Sequence, residues 1–125
     1  MREEVLKSLL LVDADANERR LLSAIAARAG WSTVGAACAE TAVGLLQGPH
    51  GRDVLAAILS SWSDDSPALI AALKQASPDL SVIVLADGGS IGLAVEAMRA
   101  GASDYLAKPV NTEQLLSALR MWLHR

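Results

Sequence analysis

Short aliphatic runs alternate with stretches of helical periodicity along the whole chain, and this alternation constrains the fold more than any other feature. Five runs have the length and composition of buried strands: Leu9–Val12, Trp31–Ala37, Val54–Leu59, Leu80–Ala86 and Asp104–Ala107. The stretches that follow them carry apolar residues at helical spacing, and most of them end at glycine or proline. Strands that alternate with helices form a parallel sheet with helices on both faces. We therefore predict an α/β fold.

The length of 125 residues suits one domain, which we place at residues 1–125. Five βα units in a domain of this size predict a flavodoxin-like, doubly wound sheet of five parallel strands. In such sheets, ligands and chemistry lie at the carboxyl ends of the strands. The segments at these ends are Asp13–Asn17, Leu59–Asp65, Ala86–Ser90 and Tyr105–Pro109.

Composition excludes several classes of protein. Hydrophobic residues make up 52% of the chain, which excludes disorder, and the net charge of −3 without a basic run argues against direct nucleic-acid binding. The single cysteine, Cys38, excludes an internal disulfide and fits a reducing compartment. Neither a membrane-spanning run nor a signal-peptide pattern is present, so we expect a cytoplasmic protein without membrane contact.

Two stretches of the chain, one around the fifth strand and one at the start of the third, carry a recognisable pattern. Residues 94–110 contain Gly-Ala-Ser-Asp-Tyr-Leu-Ala-Lys-Pro, and Asp53-Val-Leu opens the third strand. With these motifs in their spacing, the chain resembles the receiver domain of bacterial two-component response regulators over nearly all of its length. It is most similar to the receivers of nitrogen-regulator-type transcription activators. The resemblance implies phosphoryl transfer from a sensor kinase to an aspartate, with control of an effector domain.

The resemblance also assigns family roles to positions of this chain, and most of them have lost the required chemistry. The acidic pair that holds Mg²⁺ falls on Asp13 and Ala14, and the hydroxyl after the fourth strand falls on Ala86. The family's lysine at the end of the fifth strand, which pairs with the phosphoryl group, is present as Lys108. The aromatic residue that signals the family's active state is present as Tyr105. The phosphoryl acceptor falls on Ile58, while a shift of one or two residues gives Leu59 or Ser60. None of the three offers a carboxylate.

These losses predict a degenerate receiver that is not phosphorylated. An aliphatic side chain at Ile58 cannot form an acyl phosphate, and Ala14 removes a metal ligand. Asp13 and Asp15 are the carboxylates left there for Mg²⁺, and without an acceptor they make a poor site, so we expect no cofactor and no catalytic residue. We expect an ion pair between Asp13 and Lys108 at the strand ends.

Three functions remain open. The first is signalling through protein contacts on the face from Ser90 to Leu123, by homodimerisation or by control of an effector or transcription-regulatory domain, because this stretch keeps the family character best. The second is a conventional phosphoacceptor that uses a displaced aspartate, Asp64 or Asp65, although loop acids at a helix start are usually solvated. The third is a small-molecule sensor that uses the vacated acid pocket.

Overall fold

The computed structural model describes residues 7–87 and 91–123. It contains five strands and five α-helices in strict alternation, with one short 3₁₀ helix, Gly51–Asp53, before the third strand. In chain order the elements are β1 Ser8–Val12, α1 Ala16–Arg28, β2 Ser32–Ala36, α2 Ala39–Gln47, β3 Val54–Leu59, α3 Ser66–Ala76, β4 Ser81–Asp87, α4 Ile91–Ala100, β5 Asp104–Lys108 and α5 Thr112–Leu123. The predicted elements are all present, with ends that differ by one or two residues.

All described strands pair in parallel in a single sheet of order β2-β1-β3-β4-β5. This confirms the predicted flavodoxin-like α/β fold. The order reverses beside β1, so the carboxyl ends of β1 and β3 meet at the point where such folds bind ligands. Ser90 lies outside the described residues, so the predicted face begins here at Ile91. No described helix has the length and apolar character that spanning a membrane requires.

Alternate residues of each strand supply two separate cores. On one face, Leu11, Ile58 and Leu85 pack against α1 and α5, where the buried Trp31 donates its indole N–H to the carbonyl of Leu119 at 3.0 Å. On the other face, residues such as Leu59 and Val84 pack against α2, α3 and α4. The alternation follows from the period of two along a strand.

Candidate functional site

Three side chains from separate elements meet where β3 and β5 end. The Lys108 ammonium lies 2.6 Å from Oε1 of Glu18, in the first turn of α1, and donates to the carbonyl oxygen of Ser60 at 2.5 Å. The Ser60 hydroxyl donates to the same Glu18 oxygen at 2.5 Å. We call these residues the Lys108 cluster. In it a cation, a carboxylate and a hydroxyl satisfy one another without an outside ligand.

Glu18 reaches this position because the start of α1 does not need it. Asp15 caps the helix by accepting from the backbone N–H groups of Asn17 and Glu18. An aspartate cap followed three residues later by glutamate is typical of a capping box, in which the glutamate returns to the cap's own N–H. Here Oδ1 of Asp13 accepts that N–H at 2.9 Å instead. The Glu18 side chain is therefore free to turn toward Lys108.

The cluster is partly shielded from solvent, since the Lys108 and Glu18 side chains are 16% and 30% exposed. Burial raises the pKa of Glu18, but the hydrogen bonds from Lys108 and Ser60 and the charge of Lys108 outweigh it, so the net shift is downward from the ordinary 4.5. Glu18 is thus ionised at neutral pH. Its negative charge balances the positive charge of Lys108.

The structure corrects the position predicted for the acceptor. Ile58 is fully buried in the core under α1 and α5 and does not face Lys108. Ser60, the last of the three positions considered, does. The count back from the next helix without a gap, which gave Ile58, therefore ends two residues away from Ser60. Separately, the pairing of β3 with β1 shifts register between Ser8↔Val54 and Leu9↔Ala56, so β3 holds one extra residue, Leu55. The Ser60 N–H continues this pairing by donating to the carbonyl of Val12 at 3.1 Å.

The expected ion pair between Asp13 and Lys108 was wrong, because Glu18 takes the place of Asp13. Oδ1 of Asp13 is bound to the Asp15 N–H, while Oδ2 is buried and has no hydrogen-bond partner in the described part of the chain. Asp15, expected only as a metal ligand, is the cap of α1. Sequence reasoning missed Glu18 altogether, although Asp15-Ala16-Asn17-Glu18 carries the capping pattern that marks it.

The remaining predicted positions lie around the cluster without joining it. Ala14 is exposed, and Asp64 and Asp65 are exposed in the loop between β3 and α3. Neither aspartate has an ion pair with Lys108 among the contacts of the described residues. Across residues 7–87 and 91–123, no three His, Cys, Asp or Glu side chains are grouped so that they could hold a metal ion.

Residues 9–120 match the family described as the response regulator receiver domain. The chain belongs to this family. It is 38% identical over 114 residues to the acid tolerance regulatory protein ActR of Rhizobium meliloti (strain 1021), covering 90% of this chain and 58% of ActR. It is 30% identical over 115 residues to the photosynthetic apparatus regulatory protein RegA of Rhodobacter capsulatus, covering 90% of this chain and 61% of RegA. The chain thus spans somewhat more than half the length of these relatives.

Solved structures agree with this assignment. The crystal structure of NtrX from Brucella abortus superposes with a TM-score of 0.82 at 28% identity, over 95% of this chain and 26% of that chain. The signal receiver domain of a LuxO repressor protein from Vibrio parahaemolyticus shares the fold, with a TM-score of 0.81 at 22% identity over 96% of this chain and 92% of that chain. The chain is therefore a receiver domain of a two-component response regulator, a class that works through proteins such as kinases and effector domains.

Two positions of this receiver lie on the sheet face that α2, α3 and α4 cover. Ala86 is 2% exposed near the end of β4, and the ring of Tyr105, on the neighbouring β5, packs against the same core. The Tyr105 hydroxyl oxygen is buried and has no hydrogen-bond partner in the described residues. A methyl group at position 86 offers no acceptor for it. The peptide bond between Lys108 and Pro109 is cis.

Proposed function

We propose that this receiver signals through protein contacts and does not undergo aspartyl phosphorylation. One observation carries the proposal: the residue at the end of β3 that Lys108 contacts is Ser60, and the nearest carboxylate, Glu18, is already bound to that lysine. Transfer to an aspartate needs a free carboxylate at this place, with cations that stabilise the charge on the phosphoryl oxygens. At this place the chain carries the Ser60 hydroxyl in place of a carboxylate. The positive charge of Lys108 is neutralised by Glu18.

The residues present do not fit Mg²⁺, which usually takes one or two carboxylates together with phosphate oxygens and water. One oxygen of Asp13 accepts the N–H of Asp15 at the start of α1, and Glu18 is engaged by Lys108 and Ser60. Ala14 supplies no ligand. We therefore assign no metal-dependent step to this site.

Treatment with acetyl phosphate and Mg²⁺, followed by intact-mass spectrometry, tests the proposal. We expect no phosphoryl adduct on this chain, while a receiver with an intact aspartate acceptor in the same tube gains one and shows that the donor is active. An adduct mapped to Asp64 or Asp65 would overturn the proposal, because the displaced-acceptor function would then be correct. An adduct elsewhere at the strand ends would overturn it as well.

The contact surface that we propose lies on α4, within the face predicted from the sequence. Ile91, Val95 and Met98 follow one another at helical spacing and are 84%, 43% and 48% exposed. Arg99 and Glu96 flank this apolar stripe on the same helix and add charges of both signs. We propose that the stripe joins two copies of the chain, and that effector or transcription-regulatory domains respond to this pairing.

Sedimentation at rising concentration tests the self-association. We expect a dimer whose dissociation constant rises at least tenfold in Val95→Lys, because a buried charge without a partner is costly. Leu21→Lys is the matched control, since Leu21 is an apolar residue on α1 that is 59% exposed and lies outside this face. A chain that stays monomeric at every concentration would contradict the dimer.

A further inference from the structure

A cleft of about 760 Å³ opens between α2 and α3, beside the Lys108 cluster. Its floor is formed by the carboxyl ends of β1 and β3 at Val12, Asp13 and Leu59. Its size falls within the range of pockets that hold small molecules. It also lies at the switch point of the sheet, where folds of this class bind ligands. The position and the volume therefore both indicate a ligand site.

The side walls of the cleft are mainly apolar. Val43 and Gly44 from α2 face Leu69 and Ala72 from α3 across the opening. Val43 and Leu69 are only half-buried, so the cleft leaves apolar surface without a protein partner. A ligand with an apolar body of moderate size would remove this surface from water.

The charges around the cleft have one sign. Asp13, Glu40 and Asp65 line it, and none of its lining residues in the described chain is a lysine, arginine or histidine. Glu40 and Asp65 are exposed at the rim. A surface with several carboxylates in an apolar setting attracts a cation and repels an anion.

Asp13 adds an independent indication at the floor. Its Oδ2 is buried and has no hydrogen-bond donor among the described residues. A buried acceptor without a donor costs free energy. Asp13 also borders the floor of the cleft, so its negative charge adds to those of Glu40 and Asp65 at the rim.

From these observations we infer that the cleft binds an organic ammonium ion with an apolar body, its ammonium group directed to the carboxylates and its body lying between α2 and α3. The inference goes beyond the proposed function, which concerns the Lys108 cluster and α4. Bound ligand would contact the loop that follows Ser60 at Ser61 and Ser63, so it could reach the cluster through that loop.

Nuclear magnetic resonance titration of the ¹⁵N-labelled chain tests the inference with three matched probes: 2-phenylethylamine, 2-phenylethanol and phenylacetate. We expect saturable shifts at the amides of Cys38, Val43 and Leu69 with the amine. Affinity for the neutral alcohol should be about tenfold lower, and the anion should be weaker still. Equal affinity for all three probes, or no saturable shift with the amine, would overturn the inference.

Gly44 offers a way to block the cleft without harming the fold. A Cβ at this position of α2 would meet no atom within 4 Å, so Gly44→Leu places a side chain in empty space. We expect this variant to abolish the shifts. Gly92→Leu is the matched control, because Gly92 is a helical glycine on α4 with equal space and lies outside the cleft. Loss of binding in both variants would contradict the location.

The charge requirement has its own controls. Glu40→Gln and Asp65→Asn should each lower the affinity for 2-phenylethylamine about two- to fivefold and leave the affinity for 2-phenylethanol unchanged. Glu113→Gln, on α5, should change neither. Equal weakening by all three substitutions would indicate attraction to the net negative charge alone and would overturn the assignment to this cleft.

Cys38 provides a second readout. It is the only cysteine of the chain, lies exposed on the cleft wall, and its thiol pKa is lowered mainly by the hydrogen bond with Thr41. Saturating 2-phenylethylamine should slow alkylation of Cys38 at least threefold, and Gly44→Leu should remove this protection. Unchanged alkylation would contradict binding beside α2. These measurements read binding directly, so their failure is distinct from failure of the proposed function, which the phosphoryl adduct reports.

Discussion

Asp13 separates two regions at the carboxyl end of the sheet that differ in how their polar groups are satisfied. On one side, Lys108, Glu18 and Ser60 bond to one another and need no ligand. On the other side, the cleft between α2 and α3 collects carboxylates and apolar walls and lacks a cation among its described lining residues. The comparison shows that in this receiver the surroundings of Lys108 are filled by the chain's own side chains. The free space and the unpaired acceptor lie beside them.

The largest expected effect comes from removing the positive charge of Lys108 from the Lys108 cluster. Lys108→Met keeps the apolar stem but leaves Glu18 and the Ser60 carbonyl without their donor. We expect the free energy of unfolding in urea to fall by about 2 kcal/mol, discounted for the partial exposure of the pair. Lys74→Met, on α3, is the control and should change stability by less than about 0.5 kcal/mol. A loss at position 108 no larger than the control's would mean that the cluster contributes nothing.

The second effect is a pH dependence that belongs to Glu18. Its folded pKa is lowered from 4.5, so its contribution to stability is present above that value and is lost as pH falls through the folded pKa. We expect Glu18→Gln to cost about 1–2 kcal/mol near pH 7, and we expect this difference to shrink as pH falls through the folded pKa of Glu18. Urea unfolding across this range measures it. A difference independent of pH would contradict the charge pairing.

The third effect is a gain in stability from a substitution at Gly44, in the wall of the cleft between α2 and α3. Gly44→Ala should stabilise the chain by about 0.5–1 kcal/mol, because alanine favours the helix and the space beside it is empty. Gly92→Ala should give a similar gain for the same reason. Thermal unfolding compares the two. A loss confined to Gly44→Ala would show that the wall of the cleft is closed in solution.

The smallest effect tests the Tyr105 hydroxyl, which, like Oδ2 of Asp13, is buried without a hydrogen-bond partner among the described residues. Tyr105→Phe removes a buried hydroxyl that has no partner in the described chain, so the cost of burying it disappears. We expect a gain of up to about 0.5 kcal/mol in the free energy of unfolding. A loss of more than about 1 kcal/mol would show that the hydroxyl has a partner, such as a bound water.

Periodicity predicted the fold because each strand and helix carries its own pattern. The third strand, for example, was placed at Val54–Leu59, where the structure has it. The site was harder, since it depends on register and on contacts between distant segments. A count back from the next helix without a gap gave Ile58, two residues before Ser60, the residue that Lys108 contacts. Glu18 reached Lys108 only because Asp13 took over its capping bond.

Titration with beryllofluoride and Mg²⁺, followed by NMR, tests the central claim most directly, because this complex mimics a phosphoryl group on an acceptor carboxylate. If Glu18 and Ser60 already occupy Lys108, the amides of Asp13, Ser60 and Lys108 should show no saturable shift. Addition of the complex to an intact receiver under the same conditions provides the control. Saturable shifts at these three residues would contradict the account and show that the site still accepts a phosphoryl group.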